Sequence, residues 1–222
     1  MLAVLLARQV DRRRQGGLDC YLLPVRRRTI YLARHGETAW NRAGRWQGHT
    51  DVELNEEGRL QAHALGRDLI ARGIVRAHAS DLARARETGE IIAGLIGLPP
   101  VATDPGLRER GFGVFEGLTR EESEQRFPDE WLRYKAGAGD SPPGGEPREQ
   151  VVARMQQAVR AVAAALRAEH PGDGAGLAVS HGGAMRLLVK SITGELPPPL
   201  ENGATFRLDL DGDEFVHVER VK

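Results

Sequence analysis

Arg34-His35-Gly36-Glu37-Thr38 follows directly on the apolar, β-rich run Thr29-Ile30-Tyr31-Leu32-Ala33, which puts a guanidinium and an imidazole where a buried strand should end. The same arrangement recurs late in the chain, where Leu177-Ala178-Val179-Ser180 leads into His181-Gly182-Gly183 and then a helical run from Ala184 to Val189. A third β-like run, Ile74 to Ala79, is followed by Ser80-Asp81, a good N-cap for a helix that carries Arg84 and Arg86 near its start. A cation in a first helical turn is disfavoured, because the backbone amides and the macrodipole already make that end positive. A bound anion reverses the penalty. Arg34 and two histidines at strand ends, with Arg84 at a helix start, therefore describe a pocket for a phosphate dianion where α/β sheets bind their ligands.

The elements that must position these groups alternate strand and helix. That pattern predicts an α/β fold, a three-layer sandwich with a mostly parallel central sheet flanked by helices. Asn55, followed by Glu56 and Glu57, reads as the start of a helix over 56–72 that Gly73 stops. Val151, Val152, Met155, Val159, Val162 and Leu166 recur at helical spacing, so 148–168 is a core helix ending before Pro171-Gly172. Thr119 and Glu122 have capping-box spacing, which predicts a short helix from 120 to near Pro128. The Gly- and Pro-rich stretch 136–147 reads as an exposed loop, either a plain connection or one wall of the site. Thr205 to Val221 alternates about Asp211-Gly212-Asp213 as a β-hairpin.

Composition bounds the partners. Lys plus Arg equal Asp plus Glu at 31 each, so no global field favours nucleic acid or an anionic membrane. Residues 1–28 are the exception, with seven Arg against Asp11 and Asp19. Their apolar stretch, Met1 to Ala7, is short for a secretory leader. We read 1–27 as a disordered basic extension and 28–222 as the domain. Cys20 is the sole cysteine, which rules out an intrachain disulfide and fits a reducing, cytoplasmic setting. No apolar run approaches the roughly 20 residues that span a bilayer, so the chain reads as soluble.

Five motifs in order resemble the histidine phosphatase superfamily, the phosphoglycerate mutase-like proteins, over roughly 28–222. They are Arg34-His35-Gly36-Glu37-Thr38 with Trp40-Asn41; Gln47-Gly48 followed by Asp51, Leu54 and Gly58; Ser80-Asp81-Leu82-Ala83-Arg84-Ala85; Leu107-Arg108-Glu109 with Gly113 and Glu116-Gly117; and Ser180-His181-Gly182-Gly183. The Gln47-Gly48 pair is similar to the small phosphatase branch. Gly144-Gly145-Glu146-Pro147 departs from that branch's Gly-Gly-Glu-Ser loop, and His49 replaces a common aromatic residue.

The resemblance implies a metal-free, cofactor-free phosphomonoesterase acting through phosphohistidine on a small phosphorylated metabolite. His35 would be the nucleophile. Arg34, Arg84, Asn41 and His181 would grip the phosphoryl oxygens, with Gln47, Gly48 and Gly182 as further substrate-binding positions. Glu109 would protonate the leaving group and then activate water. Glu37 and Glu116 would orient backbone, and His49, His63, His78, His170 and His217 match no catalytic position. Phosphoglycerate mutase is the alternative, differing only in whether a hydroxyl or water accepts the phosphoryl group, and a non-catalytic phosphate binder is a third reading. A zinc hydrolase is disfavoured because the chain has no HExxH motif and His35 sits among arginines. Phe112, Phe115, Trp131, Tyr134 and the 136–147 loop could select the substrate or could be simple packing. A homodimer is admitted as a partner state.

Overall fold

The computed structural model describes residues 27–137 and 141–222. Nearly all of the expected extension, with Cys20, lies outside the described residues, as do 138–140 of the expected loop. Strand β1 (Arg28–Arg34) has no polar face and is the centre of a six-stranded sheet. It pairs in parallel with β4 (Ala175–Ser180) on one side and antiparallel with β5 (Thr205–Asp211) on the other. Beyond β4 come β2 (Ile74–Ala79) and the short β3 (Ala102–Thr103), both parallel, while β6 (Glu214–Arg220) completes the expected hairpin beyond β5. The sheet is therefore mixed, four parallel strands extended by an antiparallel pair.

Because side chains alternate along β1, the strand feeds two cores. Ile30 and Leu32 pack with α6 (Arg148–Glu169) and α7 (Gly182–Thr193) on one face. Tyr31 and Ala33 pack with α2 (Glu56–Leu69) and α3 (Ala83–Ile96) on the other. This is the three-layer α/β arrangement that the alternating pattern predicts. Val151, Met155, Val159, Val162 and Leu166 are buried along one stripe of α6. Asn55 caps α2 by accepting from Gly58 N at 2.8 Å, and the last expected turn tightens to a 3-10 turn at Ile70–Arg72 before Gly73.

Two expectations need correction. Pro128 does not end the helical region: α4 (Arg120–Arg126) is capped by Thr119 and Glu122 as expected, but Pro128 opens a further helix, α5 (Pro128–Ala136). A first-turn proline gives up no helical hydrogen bond, so it starts a helix as readily as it stops one. Nor do Ser80 and Asp81 cap α3 by side chain to its first turn. Its N-cap is Leu82, and the amide of Ala83 is held instead by Asp51 Oδ1 at 2.7 Å, while Asp81 pairs with Arg108. Thr38 and Asn41 form a capping box around the single-turn helix α1 (Ala39–Arg42). No helix among the described residues is long and apolar enough to cross a membrane.

Candidate active site

The carboxyl ends of β1, β4 and β2 lie side by side, and each delivers the group its sequence places there. His35 N donates to Ser180 O at 3.0 Å and Ser80 N to Val179 O at 2.8 Å, so the three strand ends are stitched together. The His35 and His181 rings come to 5.0 Å between centroids, and both residues are buried. His35 Nδ1 is 2.6 Å from Gly36 O. A carbonyl only accepts, so Nδ1 carries the proton and Nε2 keeps its lone pair. Burial, reinforced by the charges of Arg84 and Arg34, pushes His35 well below the ordinary histidine range and keeps the ring neutral.

Arg84 is the largest fully buried side chain among the described residues. Its guanidinium donates to Gly48 O at 2.8 Å, Thr50 O at 2.9 Å and His181 Nδ1 at 3.2 Å. Of its five N–H groups, two remain for a ligand. Burial lowers its pKa to about 10, so it stays cationic at neutral pH. Because Arg84 donates to His181 Nδ1, the other ring nitrogen of His181 must bear the proton. That Nε2–H is buried and finds no partner among the described residues, and neither does Arg34 Nε. Two orphaned donors on residues next to His35, one on the adjoining ring of His181 and one on Arg34, want an acceptor with several oxygens. His181 is likewise pushed well below the usual range, first by burial and then by Arg84.

Glu109 reaches the same place from a loop. Its carboxylate accepts from Gly183 N at 2.9 Å, Ala184 N at 2.7 Å and Arg110 N at 2.8 Å, so it sits on the first turn of α7. A Cβ on Gly183 would lie 2.6 Å from Glu109 Oε1, which explains the second glycine of the pair. The main chain behind Glu109 is fixed from two sides. Ser180 Oγ donates to Leu107 O at 2.8 Å, and Arg154 donates to Gly106, Arg108 and Glu109 carbonyls while pairing with Glu146. Glu146 N in turn donates to Gly111 O, so the 141–147 stretch is tied to the segment that carries Glu109, although none of its residues lines the cavity. His49 Nε2 lies 2.9 Å from Glu109 O.

Gln47 is buried and accepts from Thr38 Oγ1 at 3.1 Å. Gly48, at φ 52°, leaves space that a Cβ would take from the Glu116 carboxylate. That carboxylate accepts from the amides of His49, Thr50 and Phe112, the backbone-orienting part expected of it. Asn41 accepts from Thr38 N at 3.1 Å, which leaves its amide donor for a ligand. Arg34, His35, Asn41, Gln47, Gly48, Arg84, Glu109 and Gly182 all line one cavity of about 490 Å³, with His181 behind the His35 ring. Phe112 and Tyr134 line it too, whereas Phe115 and Trp131 are packed beneath and are core. Among the described residues no group of three or more His, Cys, Asp or Glu is placed to hold a metal ion.

Two participants have no motif to announce them. Thr88 Oγ1 accepts from Gly36 N at 3.1 Å and donates to Arg84 O, linking the two cationic segments; its position one turn after Arg84 is the only signal. Asn202 Nδ2 donates to His35 O at 2.9 Å from a loop with no regular pattern.

Comparison with known proteins places this geometry. A metal-independent phosphoserine phosphatase of Arabidopsis thaliana is 36% identical over 167 residues, 74% of this chain and 68% of its own. "Probable phosphoglycerate mutase GpmB" of Erwinia tasmaniensis is 38% identical over 180 residues, 80% of each chain. The structure of a mycobacterial glucosyl-3-phosphoglycerate phosphatase solved with VO3 superposes with a TM-score of 0.75 at 29% identity, over 88% of this chain and 98% of that one. The family model of the histidine phosphatase superfamily (branch 1) matches residues 30–220, and the chain belongs to that family.

Proposed function

We propose that the protein is a metal-independent phosphomonoesterase that works through phosphohistidine at His35. The observation that carries this reading is the buried, neutral His35 ring with Nδ1–H committed to Gly36 O and Nε2 unprotonated beside Arg34, Arg84 and the orphaned His181 Nε2–H. In the first step His35 Nε2 forms a bond to phosphorus as the ester oxygen leaves, and Glu109 supplies the proton that the departing alkoxide takes. The donors of Arg34, Arg84, Asn41 and His181 hold the nonbridging oxygens where charge accumulates. In the second step Glu109 takes a proton from water as the water oxygen bonds to phosphorus and the P–N bond breaks, which restores neutral His35 and releases inorganic phosphate. Relatives with phosphatase names support this choice.

Mutase activity is the second reading, favoured by the relative with a mutase name. It differs only in the acceptor of the second step. Phosphate release from phosphomonoesters with chelator present, comparing wild type with His35→Ala and scoring 3-phosphoglycerate isomerisation in the same tubes, decides. Chelator-resistant release that His35→Ala abolishes is expected; isomerisation without release would make the protein a mutase, and silence in both would leave a binding protein.

A further inference from the structure

The peptide unit between His35 and Gly36 is gripped at both ends. Its N–H, on Gly36, donates to Thr88 Oγ1 at 3.1 Å, and its C=O, on His35, accepts from Asn202 Nδ2 at 2.9 Å. That unit leads into the Gly36 carbonyl, the acceptor 2.6 Å from His35 Nδ1 that keeps the proton there and leaves Nε2 free to attack. A tilt of the 35–36 plane would carry Gly36 O away from the ring and turn the ring itself. Whatever holds that plane therefore holds the nucleophile.

The same amide group reaches a second residue of the site. Asn202 Nδ2 carries two hydrogens, and Asn41 Oδ1 lies 3.4 Å from it. Thr38 Oγ1 has a single hydrogen, within reach of Gln47 Oε1 at 3.1 Å and of Asn41 Oδ1 at 3.2 Å, and cannot serve both. With that hydrogen on Gln47, Thr38 N at 3.1 Å and Asn202 fill the two acceptor positions of Asn41 Oδ1 and turn the Asn41 NH2 toward the cavity that Asn41 lines.

Asn202 is itself set by main chain. Arg34 N donates to Ala204 O at 2.9 Å and Gly203 N to Arg34 O at 3.2 Å, while the Arg34 guanidinium donates to Leu200 O. Residues 200–204 thus prolong the pairing of β1 with β5 beyond Ala33 and Thr205 and wrap the Arg34-His35 pair. Asn202 does not line the cavity, so its influence on a substrate runs through its partners. We infer that Asn202 is a positioning residue for phosphoryl transfer, one NH2 group fixing the main chain of the nucleophile and aiming the Asn41 donor at the phosphoryl oxygens. The inference rests on the phosphatase reading above.

The test is p-nitrophenyl phosphate hydrolysis and thermal melting of the full chain as wild type, Asn202→Leu, Asn202→Ala, Asn41→Ala and the Asn41→Ala/Asn202→Ala double variant. Leu keeps nearly the shape of Asn and donates nothing. Both Asn202 variants should lose tenfold or more in kcat with KM changed threefold or less, because His35 and Asn41 act on the phosphoryl group and not on the leaving group. Part of the loss runs through Asn41, so Asn202→Ala should cost at least threefold less in the Asn41→Ala background than in wild type. A packing role would spare Asn202→Leu, and its loss would multiply with that of Asn41→Ala. Wild-type kcat in either folded Asn202 variant, a loss confined to KM, losses that multiply in full, or loss of the fold in both Asn202 variants overturns the assignment while the phosphatase reading stands. Hydrolysis that is absent from wild type, or that survives in His35→Ala, overturns both.

Discussion

Replacing His35 and His181 by Gln should remove a large part of the protein's acid sensitivity, and the size of the effect follows from their surroundings. Both rings are buried and pushed well below the ordinary value of 6.5, so the folded state keeps them neutral while the unfolded chain protonates them as pH falls through about 6.5. The unfolded state therefore binds more protons, and stability drops as pH falls below 6.5; above it both states are neutral and the two groups contribute no slope. Each proton that the unfolded chain takes up and the fold does not costs at most about 1.4 kcal/mol per pH unit below 6.5, so the limit between pH 7.5 and 5.0 is about 2 kcal/mol for each histidine and about 4 kcal/mol for the pair. Urea denaturation of wild type, each single variant and the double variant at pH 7.5, 6.5, 5.5 and 5.0 measures this directly. Carboxylates titrating in the same range cancel in the difference. The stability gap between wild type and double variant should shift by up to about 4 kcal/mol in favour of the variant on acidification. A gap that does not move with pH would mean that the rings are charged or solvated in the fold, and the neutral-nucleophile account would fail with it.

Two further substitutions probe the scaffold. Gly183→Ala puts a methyl group 2.6 Å from Glu109 Oε1 and must displace the carboxylate, so turnover should drop about 100-fold with the melting temperature nearly unchanged; unaltered turnover would show that Glu109 placement is unimportant. Arg84→Lys loses the planar fork that reaches Gly48 O, Thr50 O and His181 Nδ1, and should cost roughly 3 kcal/mol in denaturation along with most of the affinity for vanadate. A variant as stable and as well inhibited as wild type would refute that assignment.

The chemistry was more legible in the chain than its supports. A strand is recognised by its own residues, so the motif groups at the ends of β1, β2 and β4 could be placed before any contact was known. The parts that were misjudged depend on partners distant in sequence. The α3 amide cap comes from Asp51, 32 residues away, so the nearby Ser80-Asp81 offered a local answer to a nonlocal question. Pro128 is compatible with both a helix stop and a helix start, and only the packing of Trp131 against Trp46 and Phe115 decides. Phe112 and Phe115 are the same residue type three positions apart and pack in one aromatic cluster against Trp46, yet only Phe112, at the edge of that cluster, also lines the cavity. Thr88 and Asn202 act through a few side-chain hydrogen bonds to distant backbone, which leave no periodicity to read.

The strand order also sets a timetable for biosynthesis. Strand β1 carries the nucleophile at its end, but both of its neighbours arrive late: β4 begins at Ala175 and β5 ends at Asp211. At about 5 to 20 residues per second a ribosome needs roughly 10 to 35 s to pass from Arg34 to Asp211. Until β4 is complete at Ser180 this apolar strand has no partner in its own sheet, which exposes the nascent chain to wrong pairing and to chaperones. Asn202 then closes on the His35 carbonyl only when that last stretch is in place. A truncated translation product would thus hold every residue of the first three motifs and still lack a working phosphoryl cradle.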